Sequence, residues 1–114
     1  MTDLSVQITT QPDGSVIVAL VGSADIPGAA VLERQLMAVT VKHPKHVVFD
    51  LHGLTFLSSL SMGAIMSFRR GCVAWGGKLT LAGANAMIAG SLRHAGLDKL
   101  LPMTDSVEAA LAVR

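Results

Sequence analysis

Residues 47–63 read VVFDLHGLTFLSSLSMG. The stretch begins as an apolar strand that closes on Asp50, passes through a loop at Gly53 and a second short apolar segment, and ends in two serines ahead of a helical pattern. Ser58 and Ser59 are therefore predicted at the start of a helix, where unpaired N–H groups and the helix dipole favour a hydroxyl, an anion or a phosphate. This position makes the two serines candidates for control by phosphorylation.

The composition is typical of one small globular domain, predicted to span residues 1–114 with a core at about 4–111. Of the 114 residues, 51% are hydrophobic and 15% charged, which argues against disorder. A formal net charge of +1 offers no field for direct nucleic-acid binding. No apolar run reaches the roughly 18 residues that span a bilayer. One cysteine and no signal peptide predict a soluble, cytoplasmic protein.

Strands and helices are predicted to alternate after an initial hairpin. Residues 4–9 alternate in polarity, 12–14 form a Pro-Asp-Gly turn, and 16–21 are continuously apolar. Further strands are predicted at 47–51, 78–82 and 100–104. Helices are predicted from Pro27 with Asp25 as cap, over 60–75, from Asn85 to about His94, and after a capping box that begins at Asp105. The order ββαβαβαβα predicts an α/β domain with a mixed sheet of about five strands and about four packed helices.

The helix over residues 60–75 carries a second clue. Ile65 and Phe68 recur at helical spacing and are predicted to face the sheet. A single buried stripe leaves Leu60, Met62 and Met66 partly outside, where flexible methionine side chains suit a partner surface. The alternative is a helix that is broadly buried on all sides.

Several individual residues have a structural interpretation. Asp50 is expected to accept loop N–H groups, Cys72 to lie in the core, and Trp75 to act as a plug before two glycines. No spacing of cysteines and histidines matches a structural zinc site. We therefore expect no metal and no cofactor.

Two motifs resemble the STAS domain in its small single-domain form, the bacterial anti-sigma factor antagonist (anti-anti-sigma factor). They are the run Gly22-Ser23-Ala24-Asp25, where the family has G-E-L-D, and the run from Phe56 to Gly63, where the family has F-x-D-S-S-G-L-G. The resemblance spans about residues 4–111. It places Ser59, without a gap, on the phosphorylated serine of the family.

Three departures from the family pattern lie within two residues of Ser59. Ser58 replaces the acidic residue that precedes the phosphoserine, Leu60 replaces the small residue that follows it, and Ser61 replaces a glycine. Asp25 is retained. The resemblance adds a partner-contact role to Asp25, which by itself is expected to cap a helix.

The resemblance implies a protein-binding module in a partner-switching circuit that regulates transcription indirectly. The unphosphorylated protein would bind an anti-sigma factor, often a serine protein kinase, and release the sigma factor. Phosphorylation of Ser59, with Ser58 as the alternative acceptor, would switch it off, and a serine phosphatase would restore it. ATP and magnesium would belong to the kinase. The partner surface is predicted to consist of Asp25, Ser58, Ser59, Leu60, Ser61, Met62 and Met66, on a monomer or weak homodimer.

Other interpretations of the same residues stay open. Ser59 can be a simple helix cap, or Ser58 can fill that role and leave Ser59 free. The departures from the family pattern motivate a non-phosphorylated STAS scaffold in a larger signalling assembly. A small hydrolase using Ser59, His52 and Asp50 lacks the G-x-S-x-G elbow that would hold the serine. We therefore predict that the chain is not an enzyme.

Overall fold

Strands and helices alternate after an initial hairpin in the computed structural model, which describes residues 3–112. The strands are β1 (Ser5–Thr10), β2 (Val16–Ala24), β3 (His46–Leu57), β4 (Lys78–Ala82) and β5 (Met103–Thr104). The helices are α1 (Ile26–Thr40), α2 (Ser59–Ala74), α3 (Ala86–His94) and α4 (Val107–Ala112). The predicted element order and the α/β class are confirmed.

The sheet places the ends of β2 and β3 side by side. Its strand order is β1-β2-β3-β4-β5, with β1 antiparallel to β2 and all later neighbours parallel. Because parallel strands run in one direction, their carboxyl ends meet at one edge of the sheet. α1 and α2 both begin at this edge, where α/β sheets commonly place functional groups.

Strand β3 is longer than the sequence predicted. Its register with β2 shifts at two places, and each shift adds one residue to β3, as β-bulges do. The loop predicted at Gly53 is therefore wrong, since the strand continues through that glycine. The bulges break simple alternation and allow Leu51, Leu54 and Leu57 all to reach the main core.

The sheet has one large and one small apolar face. The large core packs side chains of α1, α2 and α3 against one face, including Ile65, Phe68 and Cys72 from α2. The rings of Phe49 and Phe68 stack with their centroids 5.6 Å apart. The other face carries a small cluster of Val48, Ala82 and Ala110, the last from α4. The prediction that Ile65, Phe68 and Cys72 are core residues is confirmed.

Two helix caps agree with the sequence prediction. Asp25 Oδ1 accepts the Gly28 N–H at 2.9 Å, and Asn85 Oδ1 accepts the Ile88 N–H at 2.8 Å. Both side chains satisfy N–H groups that a first helical turn leaves without a partner.

The C-terminal part differs from the prediction in two respects. The predicted strand over 100–104 is limited to β5, because a short 3-10 helix, Leu97–Lys99, and a bend occupy the residues before it. The capping box starting at Asp105 is also wrong. Ser106 is the residue directly before α4, and its Oγ accepts the Ala109 N–H at 3.0 Å.

Candidate protein-interaction site at the start of the second helix

Ser58 caps α2. Its Oγ accepts the Ser61 N–H at 3.1 Å and donates to Ser61 Oγ at 3.1 Å. The Ser58 main-chain N–H donates to the carbonyl of Ala24 at 2.9 Å. The Ser58 main chain thus joins the start of α2 to the end of β2, and its side chain caps the helix. The sequence had left open which of the two serines has the capping role.

Ser61 lies behind the surface. It is fully buried, and its Oγ donates to the carbonyl of Ala24 at 2.9 Å. The interpretation of Ser61 as a partner contact is therefore corrected, because no part of this side chain reaches solvent. The hydroxyl instead supports the junction of β2 and α2. The sequence did not indicate this role, because the carbonyl that Ser61 contacts belongs to a distant strand.

Ser59 is the first residue of α2 and is exposed. Within residues 3–112 its hydroxyl has no hydrogen-bond partner. Since Ser58 already caps the helix, Ser59 is free to react or to bind. The structure therefore assigns the capping role to Ser58 and leaves the Ser59 hydroxyl exposed.

The loop that carries Asp25 lies alongside this helix start. Ser61 Oγ lies 3.4 Å from the Asp25 carbonyl oxygen, and the Asp25 carboxylate caps α1. A Cβ on Gly28 would lie 2.8 Å from the Ser23 carbonyl oxygen and 3.2 Å from Asp25 Oδ1. A side chain at Gly28 would therefore clash with the Ser23 carbonyl and crowd the Asp25 carboxylate.

Exposed apolar side chains surround the two helix starts. Phe56 and Leu60 are 49% and 54% exposed, and Ile26 is 69% exposed. Met62 and Met66 are half-buried and pack against the main core. The sequence analysis missed Phe56 and Ile26. Strand alternation from the buried Leu54 would turn Phe56 inward, whereas the bulge between them turns it out.

A groove of about 570 Å³ runs beside Ser59. The end of β3 and the start of α2 contribute Phe56, Ser59 and Met62 to its lining, and α3 contributes Ser91 and His94. The α3 residues were not singled out from the sequence, because the two segments meet only in the folded chain.

The three residues of the hydrolase hypothesis are not brought together as a triad. Asp50 Oδ1 accepts the His52 main-chain N–H at 3.1 Å and lies 2.7 Å from the imidazole Nδ1. Alternation along β3 puts Asp50 on the same face as Val48, which α4 covers. Ser59 starts the helix that packs through Phe68 on the opposite face. The predicted role of Asp50 as an acceptor of main-chain N–H is confirmed.

Among residues 3–112 there is no group of three His, Cys, Asp or Glu side chains that could hold a metal ion. Burial raises the pKa of Cys72 to about 11, which keeps this thiol protonated and unreactive. Trp75 donates from Nε1 to the Pro44 carbonyl at 2.7 Å and contacts Phe68 edge-to-face, in keeping with its predicted structural role. In the same described range no helix is long and apolar enough to cross a bilayer.

The five-stranded mixed sheet with its four helices is a STAS-like fold. The sequence model of the STAS domain family matches residues 6–110, and the chain belongs to this family. The resemblance inferred from the two motifs is confirmed.

Solved structures similar to this chain include anti-sigma factor antagonists and a sulfate transporter family protein. An anti-sigma factor antagonist from Mycobacterium paratuberculosis superposes with a TM-score of 0.87 at 23% identity, covering 96% of this chain and 92% of that one. The unphosphorylated anti-sigma factor antagonist SpoIIAA, a Bacillus protein, gives 0.79 at 16% identity, covering 94% and 93%. A sulfate transporter family protein from Wolinella succinogenes gives 0.78 at 23% identity, covering 91% and 87%. At these identities the likeness establishes the fold, and function has to be argued from the site.

Proposed function

We propose that this protein is an anti-sigma factor antagonist. Its surface around Ser59 binds an anti-sigma factor that is also a serine protein kinase, and phosphorylation of Ser59 abolishes the complex. The proposal depends on one observation at the start of α2. Ser58 caps the helix, whereas the exposed Ser59 hydroxyl has no hydrogen-bond partner within the described residues. Similarity to two antagonist structures supports it.

The proposed surface combines a reactive hydroxyl with apolar contacts. It comprises residues that contribute exposed or half-buried side chains around the starts of α1 and α2: Asp25, Ile26, Phe56, Ser58, Ser59, Leu60, Met62 and Met66. Ser61 is omitted because it is buried. Flexible methionines beside exposed Phe56 and Leu60 provide an adaptable apolar patch, and such patches commonly mark protein–protein contacts.

Phosphorylation would act on this surface by charge and by desolvation. The kinase transfers the γ-phosphoryl group of ATP: a bond forms from phosphorus to Ser59 Oγ, the bond from phosphorus to the leaving ADP breaks, and the hydroxyl proton passes to the catalytic base of the kinase. The phosphate adds a charge of about −1.5 to −2 at neutral pH. The α2 dipole tolerates this charge. Burying it against an apolar partner, close to the loop of Asp25, is unfavourable, so the complex dissociates.

The consequences for transcription are indirect. Binding of the unphosphorylated antagonist releases the sigma factor that the partner held, and a serine phosphatase regenerates the antagonist. ATP and magnesium belong to the kinase. In this proposal the chain itself is a substrate and a ligand and performs no catalysis.

The test is phosphorylation by candidate anti-sigma kinases of the source organism, followed by intact-mass measurement and peptide mapping. We expect one phosphoryl group on Ser59 and none in Ser59→Ala. Ser58→Ala serves as the matched control and should still be modified. A phosphoryl group that persists in Ser59→Ala would exclude Ser59 as the acceptor, and Ser58 would then be the alternative acceptor to test.

A second candidate function is a non-phosphorylated STAS scaffold in a larger signalling assembly. The departures from the family pattern at the helix start favour it; they are at Ser58, Leu60 and Ser61. STAS folds also occur in the similar sulfate transporter family protein. Complex formation that is unaffected by both Ser59→Ala and Ser59→Asp would favour the scaffold over the switch.

A further inference from the structure

His94 lines the same groove as Ser59. Ser59 enters the groove from the first turn of α2, and His94 enters it from the last turn of α3. Both side chains are exposed, and within residues 3–112 neither has a hydrogen-bond partner. The groove, with a volume of about 570 Å³, thus brings together a free hydroxyl and a free imidazole that are distant in sequence.

His94 is the one residue of the groove lining that can carry a charge. The other lining residues are apolar, glycine or serine, and no aspartate or glutamate is among them. His94 is the last residue of α3. Ser91, also in the lining, adds a hydroxyl that can donate to an anion. The groove is therefore suited to an anionic group of modest size.

We propose that the phosphate on Ser59 is bound within the same molecule by His94, and that it thereby occupies the part of the groove between the two residues. This inference rests on the proposed function insofar as Ser59 is the phosphorylated residue. The phosphate then covers the groove side of Phe56 and Met62, so the modification removes part of the docking surface. The switch acts by occupation of the groove in addition to charge repulsion.

The first test measures the protonation of His94 directly. Phosphoserine is introduced at position 59 by genetically encoded incorporation, and the imidazole signals of this protein and of the unmodified protein are followed by NMR as pH is varied. An opposite charge within about 4–6 Å raises a histidine pKa by one unit or more, a tenfold change in proton affinity. We expect such a rise for His94.

The internal control is His52, which pairs with Asp50 away from the groove and should titrate identically in both samples. Arg93, Asp98 and Lys99 are the charged residues nearest to His94 in sequence, and they contribute equally to both samples. The difference between the samples therefore reports the phosphate alone. Identical His94 titration curves would overturn the proposal.

The second test measures protection of the phosphate. The phosphorylated parent, His94→Gln and Arg93→Gln are treated with a phosphatase of broad specificity. Arg93→Gln is the matched control, because Arg93 is an exposed cation on the same helix but does not line the groove. We expect His94→Gln to lose its phosphate several-fold faster than the other two. Equal rates for all three proteins would contradict intramolecular binding.

Both tests are independent of the biological partner. They need no kinase and no anti-sigma factor, so their failure leaves the proposed function standing if phosphorylation still abolishes the complex. Conversely, the His94 pKa could rise in the phosphoserine protein although no anti-sigma kinase modifies Ser59. That result would reject the proposed function and would leave binding of the phosphate by His94 supported.

Discussion

The Ser61 hydroxyl donates a hydrogen bond to the main-chain carbonyl of Ala24, 2.9 Å away, and so joins the first turn of α2 to the last residue of β2. The main-chain N–H of Ser58 donates to the same carbonyl at 2.9 Å. Two donors from one helical turn therefore converge on one strand end. The two hydrogen bonds fix the position of the first turn of α2, which carries Ser59, relative to the end of β2.

Removing the buried Ser61 hydroxyl should lower the stability of the fold and leave the exposed Ser59 unchanged. We expect Ser61→Ala and Ser58→Ala each to lower the free energy of unfolding by about 1 kcal/mol, for loss of a buried hydrogen bond and of a cap respectively. Because the two hydroxyls share a hydrogen bond, the double variant should lose less than the sum. Urea denaturation measures all three. Ser59→Ala is the control and should stay within about 0.5 kcal/mol of the parent.

The carboxylate of Asp25 has a capping role that can be separated from its charge. Asparagine caps as well as aspartate, so Asp25→Asn should keep the parent's stability, whereas Asp25→Ala should lose about 1 kcal/mol. If the charge also contacts the partner, Asp25→Asn should bind the anti-sigma factor more weakly than the parent, and calorimetric titration measures this. We expect the weaker binding. Equal affinities would show that Asp25 acts only as a cap.

The apolar patch beside Ser59 should carry binding energy. We expect Phe56→Ala and Leu60→Ala each to weaken anti-sigma factor binding by about 1–2 kcal/mol, the cost typical of truncating an apolar contact at the centre of an interface. Val41→Ala is the matched control, because Val41 is 81% exposed at the end of α1. Undiminished affinity in both patch variants would place the interface elsewhere on the domain.

Two glycines in helices should respond in opposite directions to alanine. A Cβ at Gly63 meets nothing within 4 Å, so Gly63→Ala should raise the free energy of unfolding by about 0.5–1 kcal/mol through helix propensity. A Cβ at Gly28 would lie 2.8 Å from the Ser23 carbonyl oxygen, so Gly28→Ala should destabilise the fold despite the same gain in propensity. Thermal unfolding of the two variants tests the contrast, and a loss of stability in Gly63→Ala would contradict it.

The buried His46 should make the domain less stable in mild acid. Burial lowers the pKa of His46, and the nearby Lys78 lowers it further, while Nε2 of the ring lies 3.0 Å from Thr80 Oγ1. The unfolded chain takes up a proton near pH 6.5, whereas the folded one resists it. Stability is therefore complete above about pH 6.5 and falls as pH is lowered toward the folded pKa.

His46→Gln should flatten this dependence, because the variant has no titrating ring at this position. Urea midpoints at pH 7 and pH 5 measure the effect, with the exposed His94→Gln as control. The difference between the two pH values should shrink in His46→Gln and stay at the parent's size in His94→Gln. A parent-like difference in His46→Gln would assign the acid sensitivity to other groups.

Local signals in the sequence predicted the elements and their caps well. Asp25 and Asn85 were recognised because a capping side chain and the N–H it accepts are only three residues apart. The buried stripe of Ile65 and Phe68 was recognised from helical periodicity for the same reason. For α4, the residue types of Asp105 and Ser106 are both typical of a helix cap. In the folded chain α4 packs on the sheet through Ala110, and Ser106 is the residue that caps it.

The course of β3 was beyond local prediction. A bulge changes which side of the sheet each later residue faces, and its position depends on pairing with β2. Phe56 is exposed for this reason. The burial of Ser61 likewise depends on the Ala24 carbonyl, which another strand supplies.

The sequence by itself determined the order of the elements, the family and the candidate serine, because periodicity, caps and motif spacing are properties of neighbouring residues. The tertiary structure alone decided which serine is free, since the strand end that engages Ser58 and Ser61 comes from a distant part of the chain. It also placed His94 in the groove beside Ser59. Such contacts arise only when the sheet and helices pack together, and they determine what the site can do.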